Sequence, residues 1–471
     1  QGITVRRPRF SWSLPSSSTS QSDRGLFQTA YHIILENNLT GATIWDSGIV
    51  QSKDTIGITF PNNNKLYLES DQSYRFNVKW VDQQKRISPI ATGYFTTALM
   101  EQSDWGDAEW ITIPDTNDSR NQFRTTLNIP NNYIGMQRAT CYIAGLGYHR
   151  SFVNGIRLGN PNNTLGQSLQ FQRKIPYETY DVLNLLKPGK NVLSILLGRG
   201  WYSLPEDNFT RVLGYRTLGP RSLKVSCRAI LNNGKQLLLF TTGKSSTWRI
   251  SAGELVFDHL FLGPTIDKRK ATIGWKTVDY DDSKWDVVVL QKNDDPTGIL
   301  TSYIMPKVQK HQPRFPIAIK RIQEQNTTNF VLDFEFNQAM QCTLRYHSDG
   351  TDEGVTLRLH HAEQVDVNGD IIISNDLGGV EDQTTFILSN ATGFQNFESK
   401  FSYFGARFVK ISGWPENKKE PGLDIMTCYF VHTSLSGKSS IKFYSPETSS
   451  TANILNGIHE ITMRSALSNY M

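Results

Sequence analysis

Residues 141–159 read CYIAGLGYHRSFVNGIRLG. Two apolar runs flank Asn154-Gly155, and Asn and Gly are residues that accept positive φ readily. The stretch therefore predicts an antiparallel hairpin closed by a two-residue turn. The same pattern continues on both sides. In YRFNVKW (74–80), Tyr74, Phe76, Val78 and Trp80 alternate with other residues, so they should share one face of a strand. A second Asn-Gly turn stands at Asn368-Gly369. Gly, Asn, Asp and Pro punctuate short alternating segments at intervals of roughly 8–12 residues, which is the signature of β-sandwiches.

At 471 residues the chain is long for one domain, and about 150 residues per domain gives roughly three. The expected fold class is all-β: three consecutive β-sandwich or jelly-roll domains with a C-terminal linker helix. Residues 1–100 form the first. There Leu68 precedes Tyr74 at the spacing of the tyrosine corner of immunoglobulin-like and fibronectin-like sandwiches. Trp12 and Trp45 are its natural core partners. Residues 101–295 form a larger jelly roll and residues 300–435 a third sandwich. From 436 to 471 the chain is a linker that turns helical, with Leu455, Ile458, Ile461 and Leu467 near helical spacing. Gly457 weakens that helix by about 1 kcal/mol relative to Ala.

The charge excess of +5 is small and scattered. Its densest basic run, Lys268-Arg269-Lys270, reads as a solvated turn, so no nucleic-acid partner is expected. No apolar run reaches the length of about 18 residues that a membrane-crossing helix needs. Cys141 and Cys227, and likewise Cys342 and Cys428, are 86 residues apart, all in strand-like segments. One disulfide per sandwich in an oxidising compartment and four buried free thiols both suit that pattern. Glycosylation sequons stand at Asn38, Asn117, Asn162, Asn208, Asn326 and Asn390. The expected location is extracellular, with a lysosome-like compartment or the cytoplasm as the alternative.

Few residues here promise chemistry. Metal-ligand spacings of the C-x-x-C or H-E-x-x-H type are absent. His360 and His361 are neighbours on a strand and point to opposite faces. Asp349, Asp352 and Glu353, Asp366 and Asp370, and Asp279, Asp281 and Asp282 read as polar turns. The D-x-N-x-D start at Asp366 lacks the acidic twelfth residue of a calcium loop, since position 377 is Leu. The best candidate is the loop GRGWYSLPEDNFT (198–210). Trp201 and Tyr202 could offer aromatic faces to a sugar, with Glu206, Asp207 and Asn208 for its hydroxyls.

The order of segments resembles the N-terminal half of multidomain α-L-rhamnosidases. PRFSWSL (8–14), QTAYHIIL (28–35) and IWDSGIVQS (44–52) follow that family's opening pattern. AGLGYHRSFVNGIRLG (144–159), YETYDVLNLLKPGKNVLSILLGRGWY (177–202) and WKTVDYDDSKW (275–285) are similar to its jelly-roll domain. LDFEFNQAM (332–340), LRLHHAEQVDVNGDI (357–371) and FSYFGARFVKISGWP (401–415) resemble its concanavalin-like sandwich. In GPTIDKR (263–269), Pro264, Ile266 and Lys268 depart from the family's usual Glu, Tyr and Ala.

The resemblance implies an inverting glycosidase acting on rhamnose-containing glycosides through two carboxyl groups roughly 6.5–9.5 Å apart. It places both in an (α/α)₆ barrel that would begin after Met471, so no catalytic residue is expected within 1–471. It also implies that the jelly roll can bind rhamnose with calcium. Two other readings stand beside it: a stand-alone rhamnose-binding lectin, and a subunit that pairs with a separate barrel chain.

Overall fold

The computed structural model describes residues 2–14, 25–61, 66–113, 118–130, 135–166, 170–205, 216–244, 247–291, 296, 298–324, 327–373, 382–435, 437, 440–444 and 449–470. Strands dominate, as the alternating segments require. In the first domain, strand Gln28–Asn37 pairs antiparallel with Ser73–Asp82, placing Tyr31 opposite Trp80, Ile33 opposite Val78 and Leu35 opposite Phe76. Tyr74 and Val78 are buried, and Phe76 and Trp80 pack against the same core, so the four residues share a face as expected. The Glu69 N–H donates to Tyr74 Oη at 3.0 Å, which is the tyrosine corner. Trp45 lies edge-on to Phe60 and Trp12 edge-on to Tyr31, both against this core.

Asp71, in the left-handed region at the end of that corner, is buried and reaches into the next domain. It accepts from Tyr142 Oη at 2.6 Å and from Arg138, so the first sandwich is tied to the jelly roll by a buried ion pair.

The jelly roll has a seven-stranded and a six-stranded sheet. Met136–Leu146 and Ser222–Leu231 are neighbours in the first, and Gly189–Leu197 and Arg120–Ile129 in the second. Phe123, Ile143, Leu193, Val225 and Trp248 fill the space between. The hairpin predicted at Asn154-Gly155 is present: both residues have positive φ, and Val153 faces Ile156.

The third domain is an eleven-stranded sheet curled around a long strand, Thr327–Asp349. Its pairing shifts between Asp333 and Gln338, where Glu335 has positive φ. The first half carries Ala318–Glu324; the second carries Met426–Thr433 and Thr392–Glu398.

The domain limits expected at 295 and 300 do not describe the sheets. Ile299–Ser302 runs parallel to Lys174–Asp181 inside the jelly roll. Asn163–Leu165 pairs with Val308–Arg314, and Thr265–Asp267 runs parallel to Gln383–Ile387, so both join the third sheet. The physical reason is a shared core: Leu165, Leu255, Ile266 and Trp275 are buried in one cluster with Phe386, Phe397 and Val409. The two units are therefore fused by hydrogen bonds and apolar burial together.

The C-terminal helix spans Ser449–Ser468. Ala452 is buried, Arg464 lies over the Phe336 ring, and Ser468 Oγ accepts from the Ala339 N–H. Ile454, Leu455, Ile458, Ile461 and Met463 are exposed. Among the described residues, no helix is long and apolar enough to cross a membrane.

Candidate functional site at the seam of the jelly roll and the third sheet

Strand Gly189–Leu197 delivers the 198–205 loop to the seam between the two units. Gly198 is required there: a Cβ would lie 2.3 Å from the Phe401 ring of the third sheet and 2.8 Å from Asp258 Oδ2. Gly200 sits at φ +53° against the Tyr148 ring. The Arg199 N–H donates to Asp258 Oδ2 at 2.5 Å, and its guanidinium lies 3.8 Å from the same buried carboxylate. Beside them Arg221 is buried and donates to Leu197 O; burial brings its guanidinium down to about 10.

The loop therefore serves packing first. Tyr202 is buried, edge-on to Phe171 at 5.2 Å, and its carbonyl accepts from Leu218. A tyrosine so placed presents no ring face to a sugar, which corrects the expectation for Tyr202. Trp201 is half-buried, edge-on to Phe261 at 5.6 Å, and bridges two apolar clusters. Glu206, Asp207 and Asn208 lie outside the described residues. Asn117 and Asn326 do too, whereas Asn38, Asn162 and Asn390 are exposed.

Cysteine chemistry is placed directly. Cys141 faces Cys227, and Cys342 faces Cys428, on adjacent antiparallel strands, and each pair is joined as a disulfide. All four are fully buried.

The seam is charged as well as apolar. Glu398 of the third unit accepts from Arg150 of the jelly roll at 2.7 and 3.2 Å, and from Lys310. Glu254 accepts from Lys268 at 2.7 Å and from Lys400 across the seam. Burial pushes the Glu254 carboxyl up, but Lys400 and Lys268 outweigh it and bring it down to about 2. Burial is likewise outweighed at Glu398, where Arg150 and Lys310 hold the carboxyl well below the usual range. Carboxylates held ionised in this way are structural anions and poor proton donors.

Asp382 is the contrast: burial first, then Glu363, holds it up to about 6. One raised carboxyl is only half of the pair that glycoside hydrolysis needs. The acidic clusters read as turns behave as turns: Asp366 Oδ1 accepts from the Asn368 and Asp370 N–H groups. Asp282 does more, since it pairs with the buried Arg124 at 2.7 Å. Among the described residues, no group of three or more His, Cys, Asp or Glu is arranged to hold a metal ion.

Three sheet systems in this order, the second and third fused at a packed seam, define a multidomain all-β protein. Residues 1–101 match the family model of the Rha78A-like N-terminal immunoglobulin domain. Residues 135–312 match the α-L-rhamnosidase N-terminal domain, and residues 323–432 the bacterial α-L-rhamnosidase concanavalin-like domain. The chain belongs to the α-L-rhamnosidase family and corresponds to its N-terminal half.

An α-L-rhamnosidase of Formosa agariphila is 26% identical over 93% of this chain and 47% of its own length. The solved α-L-rhamnosidase of Dictyoglumus thermophilum superposes with TM-score 0.82 at 25% identity, covering 100% of this chain and 50% of that one. The Streptomyces avermitilis enzyme complexed with L-rhamnose shares the fold, with TM-score 0.80 at 19% identity over 100% of this chain and 59% of its own. The chain thus spans about half the length of the relatives it matches.

Proposed function

We propose that these domains are the non-catalytic portion of an α-L-rhamnosidase, which removes terminal α-L-rhamnose from glycosides with inversion. The observation that carries this reading is the succession of three family matches in this order along the chain. The ion-paired seam supports a rigid platform rather than a reaction centre. Purified chain is expected to release no chromophore from an aryl α-L-rhamnoside. Turnover at an enzymatic rate would show that a working acid–base pair lies within these residues and would sink the reading.

The exposed side chains of the Ser449–Ser468 helix favour an (α/α)₆ barrel as partner, in cis or in trans. Five apolar residues along one helix are a surface that water disfavours. Removing residues 453–471 is expected to raise solubility and to lower binding of a hydrophobic dye. Unchanged values would mean that this face needs no cover. The paired cysteines and the exposed Asn38, Asn162 and Asn390 support an extracellular, glycosylated protein.

A further inference from the structure

A cleft of about 440 Å³ opens on the seam, lined by Gln122, Glu254, Lys268, Trp275 and Lys276 of the jelly roll and by Lys400 of the third unit. Its charges do not balance. Three ammonium groups face one carboxylate, and Glu254 already serves two of them, Lys268 and Lys400. Lys276 is the third. Its ammonium lies 4.3 Å from the Phe152 ring centroid and 5.5 Å from that of Trp275, with no carboxylate or hydrogen-bond acceptor of its own among the described residues. Burial first, then Lys400, holds the Lys276 ammonium below its ordinary value, with Glu254 opposing; beyond the cleft Arg150 pushes it further down and Glu398 pushes it up. Gln122 adds a second unmet group: it is 2% exposed, and its Oε1 is buried without a partner. A buried acceptor without a donor is costly unless a ligand or water supplies one.

An unpaired cation and an unpaired amide oxygen in one cleft call for a ligand with an anionic group and a hydroxyl. Sulfate has no donor for Gln122, and any small inorganic anion leaves most of the volume empty, whereas the volume lies in the range of small-ligand sites. We propose that this cleft binds an anionic sugar residue, carboxylated or sulfated, with its acidic group on Lys276 and a hydroxyl donating to Gln122 Oε1. The proposal rests on the reading of the chain as part of a glycan-handling protein, and it makes the seam a recognition element as well as a joint.

Calorimetric titration of the full chain with D-glucuronate, D-glucose 6-sulfate, D-glucose and sodium sulfate tests it. One or both acidic sugars should bind at least about tenfold more tightly than glucose and than sulfate, and more weakly as salt is added. The arm that binds separates a carboxylate from a sulfate ester. Lys276→Met should weaken that binding at least about tenfold. Ile273→Glu, at an 89% exposed position on the rim, should do the same by charge repulsion without disturbing a packed residue. Equal affinity for glucose, sulfate binding as tight as either acidic sugar, or no effect of Ile273→Glu would overturn the proposal. The aryl rhamnoside assay is independent of this titration, so either reading can fail alone.

Discussion

Replacing Cys342 and Cys428 together by alanine is expected to cost the folded chain about 3–5 kcal/mol in denaturant unfolding, and the Cys141/Cys227 double variant a similar amount. The cross-link in each case joins residues 86 apart. In the chain-entropy account, tying a loop of that length in the unfolded state is worth on the order of 4–5 kcal/mol. Packing adds to it, because each pair sits fully buried between central strands, where lost sulfur leaves a void. Free thiols in the same places would forfeit only the packing part. The two cases separate cleanly by a second readout. Protein unfolded without reductant and treated with a thiol alkylating agent should take up no label. Four labels per chain, or a stability loss under about 1 kcal/mol, would mean that these cysteines are not cross-linked in the native protein and would remove the main support for an oxidising compartment.

What could be read from the sequence was what is decided locally. The turn at Asn154-Gly155 needs two positive φ angles, and the residue types announce it. The shared face of Tyr74, Phe76, Val78 and Trp80 follows from the two-residue period of a strand, and the Tyr74 corner follows from a fixed spacing. The seam is different. Thr265–Asp267 pairs with Gln383–Ile387 more than a hundred residues later, and nothing in TID states which sheet it will join. Lys268 looked like part of a solvated run, yet the short turn after that strand aims it at Glu254. Asp282 looked like a turn residue and proves to hold a buried arginine 158 residues away. Trp201 and Tyr202 show the same limit: aromatics after an apolar strand pack on something, but whether on a ligand or on a neighbouring unit depends on tertiary placement. Lys268 and Trp201 lie at the junction of the second and third units, whereas Tyr202 packs with Leu99, Trp105 and Phe171.

Glu398→Gln should therefore be felt through the whole fused pair. The substitution keeps the shape of the side chain and removes the charge that Arg150 and Lys310 share. Arg150 is 7% exposed and Lys310 12% exposed at the side chain, against 27% for Glu398, so the two cations cannot turn fully to water. Removing one partner of such a cluster strands the others, at a cost of about 3–5 kcal/mol near pH 7, measured by denaturant unfolding. The pH dependence gives the sign. The folded-state carboxyl is held below its unfolded value of roughly 4.3, so its contribution is complete above that pH and is lost as pH falls through the depressed folded value. Glu254, brought down to about 2, behaves the same way in both proteins. The parent should thus lose stability steeply below about pH 4.3, while Glu398→Gln falls less steeply because it has one carboxylate fewer to protonate. The gap between the two should narrow as the medium becomes more acidic. A gap that stays constant from pH 7 to pH 3 would mean that Glu398 is not ion-paired across the seam. The strand pairing, the shared core and the Lys400–Glu254 pair would then join the jelly roll to the third sheet without it.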